Sequence, residues 1–169
     1  DKGIDLLLEA LAACPADAPI TLTLVGSDHG GYTEQMQALT ARLHLEDKVQ
    51  FLGSRTDVPQ LLQTADLFVH PATCQEGFGI SLIEAMASGV PCLAFPKGAI
   101  PEIIGPEIDG FLTEEVSAAD LTAGINRALE LFTKAPHHWH TLCKNARQKA
   151  ELFSIERTVA QLEELYQEQ

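Results

Sequence analysis

The chain has 169 residues, with 24 acidic side chains against 11 basic ones, a formal net charge of −13. Hydrophobic residues make up 46% and charged residues 21%, an ordinary globular composition that excludes disorder and makes one domain the expectation at this length. The acidic surplus argues against nucleic acid or an anionic membrane as partner, and no apolar run approaches the roughly 20 residues that cross a bilayer.

Ile4, Leu7, Leu8 and Leu11 fall at i, i+3, i+4 and i+7, the apolar face of a first helix. A strand is predicted at Ile20–Val25, a helix near Tyr32–Leu43 and a second strand at Val49–Leu52. A third strand at Leu67–His70 leads to a helix at Ile80–Ala87, and a fourth at Pro91–Phe95 precedes a weaker fifth at Gly110–Thr113. Helices then take over at Ala118–Phe132, His140–Ala150 and Ile155–Tyr166, a tail expected to pack on the flank of the sheet. Helices between strands require crossover connections, so the sheet should be mostly parallel and covered on both faces. The uninterrupted apolar runs Leu67-Phe68-Val69 and Cys92-Leu93-Ala94-Phe95 suit such doubly buried strands. The expected fold is α/β: a Rossmann-like three-layer sandwich with about five mostly parallel strands, all within one domain.

No signal peptide opens the sequence, and Cys14, Cys74, Cys92 and Cys143 lie too far apart for a zinc knuckle or a disulfide scaffold. Reduced thiols and a cytoplasmic location are the expectation. His137-His138-Trp139-His140 follows Pro136 with no Cys or acid at ligand spacing, which reads as a solvated helix start rather than a metal site. Glu163, Glu164 and Glu168 read as a solvated helix face. Gly77-x-Gly79-x-x-Leu82 lacks the third glycine of a dinucleotide fingerprint, so NAD is set aside.

Ligands of open parallel sheets sit beyond the carboxyl ends of the strands. The richest such segment is residues 70–89, His-Pro-Ala-Thr-Cys-Gln-Glu-Gly-Phe-Gly-Ile-Ser-Leu-Ile-Glu-Ala-Met-Ala-Ser-Gly. A strand ends at His70-Pro71, Gly77 and Gly79 permit close approach of a ligand, and a new helix aims free N–H groups at it. That is an anion site, most naturally for phosphate. The helix is apolar on most sides, which predicts a buried element. Ser81, Glu84 and Ser88 form its polar stripe, so Glu84 faces either solvent or a ligand in a cleft. Glu76 and Glu84 bracket the anion site. Carboxylates repel phosphate but accept hydrogen bonds from sugar hydroxyls, and a nucleotide sugar has the matching layout of a diphosphate between two sugars. Taken singly, Glu76 also fits a plain loop acid.

The spacing Glu76-x7-Glu84, the Gly77-Phe78-Gly79 start, the run from Glu84 to Pro91 and the following Gly98-x-x-Pro101-Glu102 resemble the donor-binding, C-terminal half of retaining GT-B glycosyltransferases of group 1. Lys2-Gly3, Phe51-Leu52-Gly53 and the stretch from Ala65 to Pro71 extend the resemblance to nearly the whole chain, and Ser154–Tyr166 looks like the usual closing helix. The resemblance implies one GT-B half. Its function would be retaining transfer of a hexosyl group from a UDP- or GDP-sugar to an unidentified acceptor, such as a glycan or lipid-linked sugar. It gives Glu76 the hydroxyls of the transferred sugar and Glu84 the ribose. Lys2 would neutralise the diphosphate, with the amides of Gly79, Ile80, Ser81 and Leu82. The loop at Gly77 and Phe78 would approach the donor, and the backbone around Gly53–Arg55 would line the base. The chain contains no Asp-x-Asp, so no metal is expected, nor any cofactor beyond the donor itself.

Three departures stand out. The family has a strand ending in Gly-Arg ahead of its Lys-Gly, whereas this sequence starts at Asp1. The family's Gly-Gly after the fourth strand appears as Lys97-Gly98. The N-terminal, acceptor-binding domain is absent, so the isolated half is expected to bind donor and to transfer little or nothing. The competing reading is a non-catalytic binding or assembly module that keeps the Rossmann-like shell without a working donor site.

Overall fold

A computed structural model describes residues 2–28 and 30–167; Glu168, expected on a solvated face, lies outside the described residues. In chain order the elements are α1 (Ile4–Ala13), β1 (Leu22–Leu24), α2 (Tyr32–Arg42), β2 (Val49–Phe51), α3 (Val58–Leu62), β3 (Phe68–His70) and α4 (Ile80–Ala87). They continue with β4 (Cys92–Ala94), α5 (Ile100–Ile103), β5 (Gly110–Leu112), α6 (Ala118–Lys134), α7 (Pro136–Ala150) and α8 (Ile155–Gln167). Every predicted strand contains an observed one, and all the pairings are parallel.

The strands do not form one ladder. β1 pairs with β2, and β3, β4 and β5 pair in that order; among the described residues no ladder joins β1 to β3. In the doubly wound order, the place between these two strands belongs to the strand that feeds the first helix. Here α1 bridges the break with side chains instead of hydrogen bonds. Leu8 and Leu11 pack with Ile20, Leu22 and Leu24 on the β1 side, while Leu7 and Ala10 pack with Leu67, Val69 and Leu93 on the β3 side.

Alternation along β4 produces the layers. Leu93, with Phe111, faces the cluster built by α1 and α6. Cys92 and Ala94 face the cluster built by α4 and α5, which includes Leu82, Ala85, Met86, Ile100 and Ile103. All three β4 side chains are fully buried, as a central parallel strand requires.

The tail departs from expectation in two ways. α7 starts at Pro136, four residues before the predicted His140, because proline is preorganised for the first helical turn and lacks only an N–H that would go unpaired there. The flank packing holds for α6 and α7: Leu121 and Ile125 join the first cluster, and Ala146 and Ala150 join the second. It fails for α8, which buries no residue. The four cysteines are unpaired. Among the described residues no helix is long and apolar enough to cross a membrane.

Candidate donor site at the carboxyl ends of the strands

β3 delivers His70 to the carboxyl edge of the sheet, and the chain turns through a loop before α4 starts. Gly79 is the N-cap of α4 in the left-handed conformation, with no side chain capping the helix. An uncapped helix start leaves amides and a partial positive charge pointing outward. Of the four amides expected to face an anion, that of Leu82 already donates to the Gly79 carbonyl at 3.0 Å. The Gly79 amide donates to Glu76 Oε1 at 3.4 Å. Ile80 and Ser81 carry the remaining amides of the first turn, which a helix start does not pair internally.

Glu76 is held from two sides. Its carbonyl accepts from the Ala99 amide at 3.0 Å, so the loop after β4 is laced to it. The other oxygen of its carboxylate, Oε2, lies 3.3 Å from His70 Nε2. Lys2, though exposed, belongs to the same neighbourhood. A Cβ placed on Gly3 would sit 1.9 Å from the Pro71 carbonyl oxygen, so Lys2-Gly3 abuts the β3–α4 loop. Burial pushes the His70 imidazole below its usual pKa; the Glu76 charge opposes this and the Lys2 charge adds to it. The structure thus brings Lys2, Glu76 and Gly79 together around His70.

Glu84 sits elsewhere on α4. The expectation of a buried helix is corrected on this side: Ile80 is 65% exposed, and Glu84 and Ala87 are exposed too. Their positions share one face at helical spacing. Leu82, Ala85 and Met86 carry the burial. Glu84, Ala87 and Ser88 line a shallow depression of about 250 Å³ with Val58, Pro59 and Leu62 of α3. Beside α3 in sequence, Ser54, Arg55, Thr56 and Asp57 line a second open depression of about 370 Å³. Gly53 begins that turn; its carbonyl accepts from the Gly26 amide at 3.0 Å, tying the loops after β1 and β2 together. Glu76 lines neither depression. Gly77 is exposed, and Phe78, 51% exposed, meets Phe153 edge-on with ring centres 6.1 Å apart.

Sequence reasoning passed over His70 and the apolar wall of α3. The signal for His70 was present: a titratable residue closing a buried strand at the carboxyl edge of a parallel sheet. For α3, five residues are too few for a helical period to show.

Comparison with known proteins fits this geometry. The family described as "Glycosyl transferases group 1" matches residues 1–149. The N-acetyl-alpha-D-glucosaminyl L-malate synthase of Bacillus anthracis is 34% identical over 166 residues, covering 98% of this chain and 42% of that protein. A crystal structure of Anabaena Alr3699/HepE in complex with UDP superposes with a TM-score of 0.89 at 33% identity, over 99% of this chain and 46% of that one. The same protein in complex with UDP-glucose gives 0.86 at 32%, over 99% and 46%. The chain therefore spans less than half the length of these relatives.

Proposed function

The chain belongs to the group 1 glycosyl transferase family, and from that premise we propose that it is the donor-binding half of a retaining hexosyltransferase using a UDP- or GDP-sugar. The observation that carries this reading is the uncapped start of α4. Glu76 lies just before that start, and the Lys2 charge is felt at His70 beside it.

The diphosphate lies against the amides of Ile80 and Ser81, and Lys2 offsets its charge. Glu76 accepts hydrogen bonds from hydroxyls of the transferred sugar. Glu84 accepts them from the ribose, in the depression beside α3. The base rests on the backbone of Gly53–Arg55. As the bond from sugar to phosphate breaks, negative charge grows on the departing nucleotide. A donor fixed in advance where that charge appears can lower the barrier by about 3 kcal/mol. The structures of Anabaena Alr3699/HepE with UDP and UDP-glucose support the choice of donor class. The acceptor is held by the remainder of a longer protein, in keeping with the share of its relatives that this chain spans. Alone, the chain binds donor and transfers little.

An amide-resolved NMR titration with UDP and with GDP tests the placement. The amides of Ile80 and Ser81 should move with the nucleotide, together with residues of the 53–55 turn. Shifts confined to other loops would contradict the assignment.

A further inference from the structure

The His70 side chain is 11% exposed, and its Nε2 is buried with no hydrogen-bond partner. Glu76 Oε2 stands 3.3 Å away, an ion-pair contact in which the hydrogen bond is not fully closed. A buried nitrogen without a closed hydrogen bond is uncommon and calls for a reason. Hydrogen bonds of working sites are often long or misaligned before the ligand arrives and tighten once it binds. Phe68 lies on one side of the ring, the two ring centres 6.4 Å apart in a stacked arrangement.

The geometry points to His70 as a positioning residue for Glu76: its Nε2–H donates to Oε2 and leaves the remaining lone pairs of the carboxylate turned toward the bound sugar. This rests on the assignment of Glu76 to the transferred sugar. The other carboxylate oxygen is already met by the Gly79 amide, so His70 completes a two-point hold that fixes the carboxylate plane. A carboxylate pinned at both oxygens has lost its rotational freedom before the sugar arrives, which is how preorganisation raises affinity. Burial favours the neutral ring, and beside a carboxylate the tautomer carrying its proton on Nε2 is the favoured one. Among the described residues, the charged groups acting on His70 are Glu76 and Lys2.

The test is calorimetric titration of the chain with two pairs of probes, UDP with UDP-glucose and GDP with GDP-mannose. The variants are His70→Leu, His70→Gln, Glu76→Gln and the double variant His70→Leu with Glu76→Gln. For the pair that binds, His70→Leu should weaken the nucleotide sugar roughly tenfold, the scale of one hydrogen bond to a charged group, and the bare nucleotide less than about threefold. His70→Gln, which keeps an N–H donor, should recover most of the loss. In the Glu76→Gln background His70→Leu should add nothing, because it acts through the carboxylate. Should the leucine variant melt early, His70→Phe keeps the ring stacked and removes the donor.

Unchanged nucleotide-sugar affinity in both donorless variants overturns the inference. So does a glutamine variant no better than leucine, or losses at His70 and Glu76 that multiply. A failure of the underlying reading looks different: wild-type chain that binds neither pair, or Glu76→Gln with full sugar affinity, overturns the assignment of Glu76 and the inference with it.

Discussion

A Cβ on Gly98 would lie 2.1 Å from the carbonyl oxygen of Glu76. The loop after β4 can lie this close only because residue 98 has no side chain, and its φ of +58° lies in the left-handed region as well. Gly98→Ala should therefore cost about 3 kcal/mol or more, combining the left-handed penalty with overpacking against backbone that cannot yield. Urea unfolding measures it. The same variant should lose nucleotide-sugar affinity, since Glu76 must shift.

His70 gives a pH signature. Burial holds its imidazole below the ordinary value of 6.5, so the unfolded chain takes up a proton at that position at a higher pH than the folded chain does. Stability from this residue is complete above the ordinary value and is lost as pH falls through the lower folded one. Between about pH 7 and about pH 5, the melting temperature of wild type should drop relative to His70→Leu. Parallel curves over that range would show that the ring titrates normally.

Arg55 meets Asp57 through two hydrogen bonds, Nε to Oδ1 at 2.8 Å and Nη2 to Oδ2 at 2.6 Å. Both side chains are about 40% exposed, where such pairs contribute little to stability. Because the backbone of the turn is assigned to the base, Arg55→Ala should leave the melting temperature within about 1 °C and change UDP affinity less than about threefold. A larger loss of affinity would move base recognition to the guanidinium group.

Ile155, Val159, Leu162 and Tyr166 make α8 amphipathic, yet these side chains stay 44–76% exposed. Removing residues 155–169 should therefore shift the melting temperature of the remainder by less than about 2 °C. A cooperative loss of structure on truncation would show that the helix packs on this half after all.

Much of this architecture was legible in the residues, for identifiable reasons. The apolar run at Cys92–Phe95 reads as a strand buried on both faces, and it lies at the centre of its ladder. The helix at Ile80–Ala87 was bounded by Gly79 before it and Ser88-Gly89 after it, and it forms with those bounds. What stayed hidden depends on tertiary approach. That Glu84 and Ala87 open onto a depression beside α3 was hidden, because five residues give no period from which to place α3. α8 has the apolar stripe of a packed helix, yet among the described residues no neighbour buries it. At the site, the Glu76 and Glu84 spacing was plain, whereas the meeting of His70 with Glu76 depends on how the loop after β3 turns back, and the approach of Gly98 to Glu76 joins segments about 20 residues apart along the chain.

The nucleotide site is tested most directly by thermal melting of wild-type chain and Glu84→Ala with and without UDP and GDP. Glu84 is exposed, so its loss should leave the fold intact. Wild type should gain about 5 °C or more with one of the nucleotides near a hundredfold excess over Kd, and Glu84→Ala should gain little or nothing at the same concentration. A wild-type chain that melts at the same temperature with either nucleotide, or a Glu84→Ala chain that gains as much as wild type, would contradict the account.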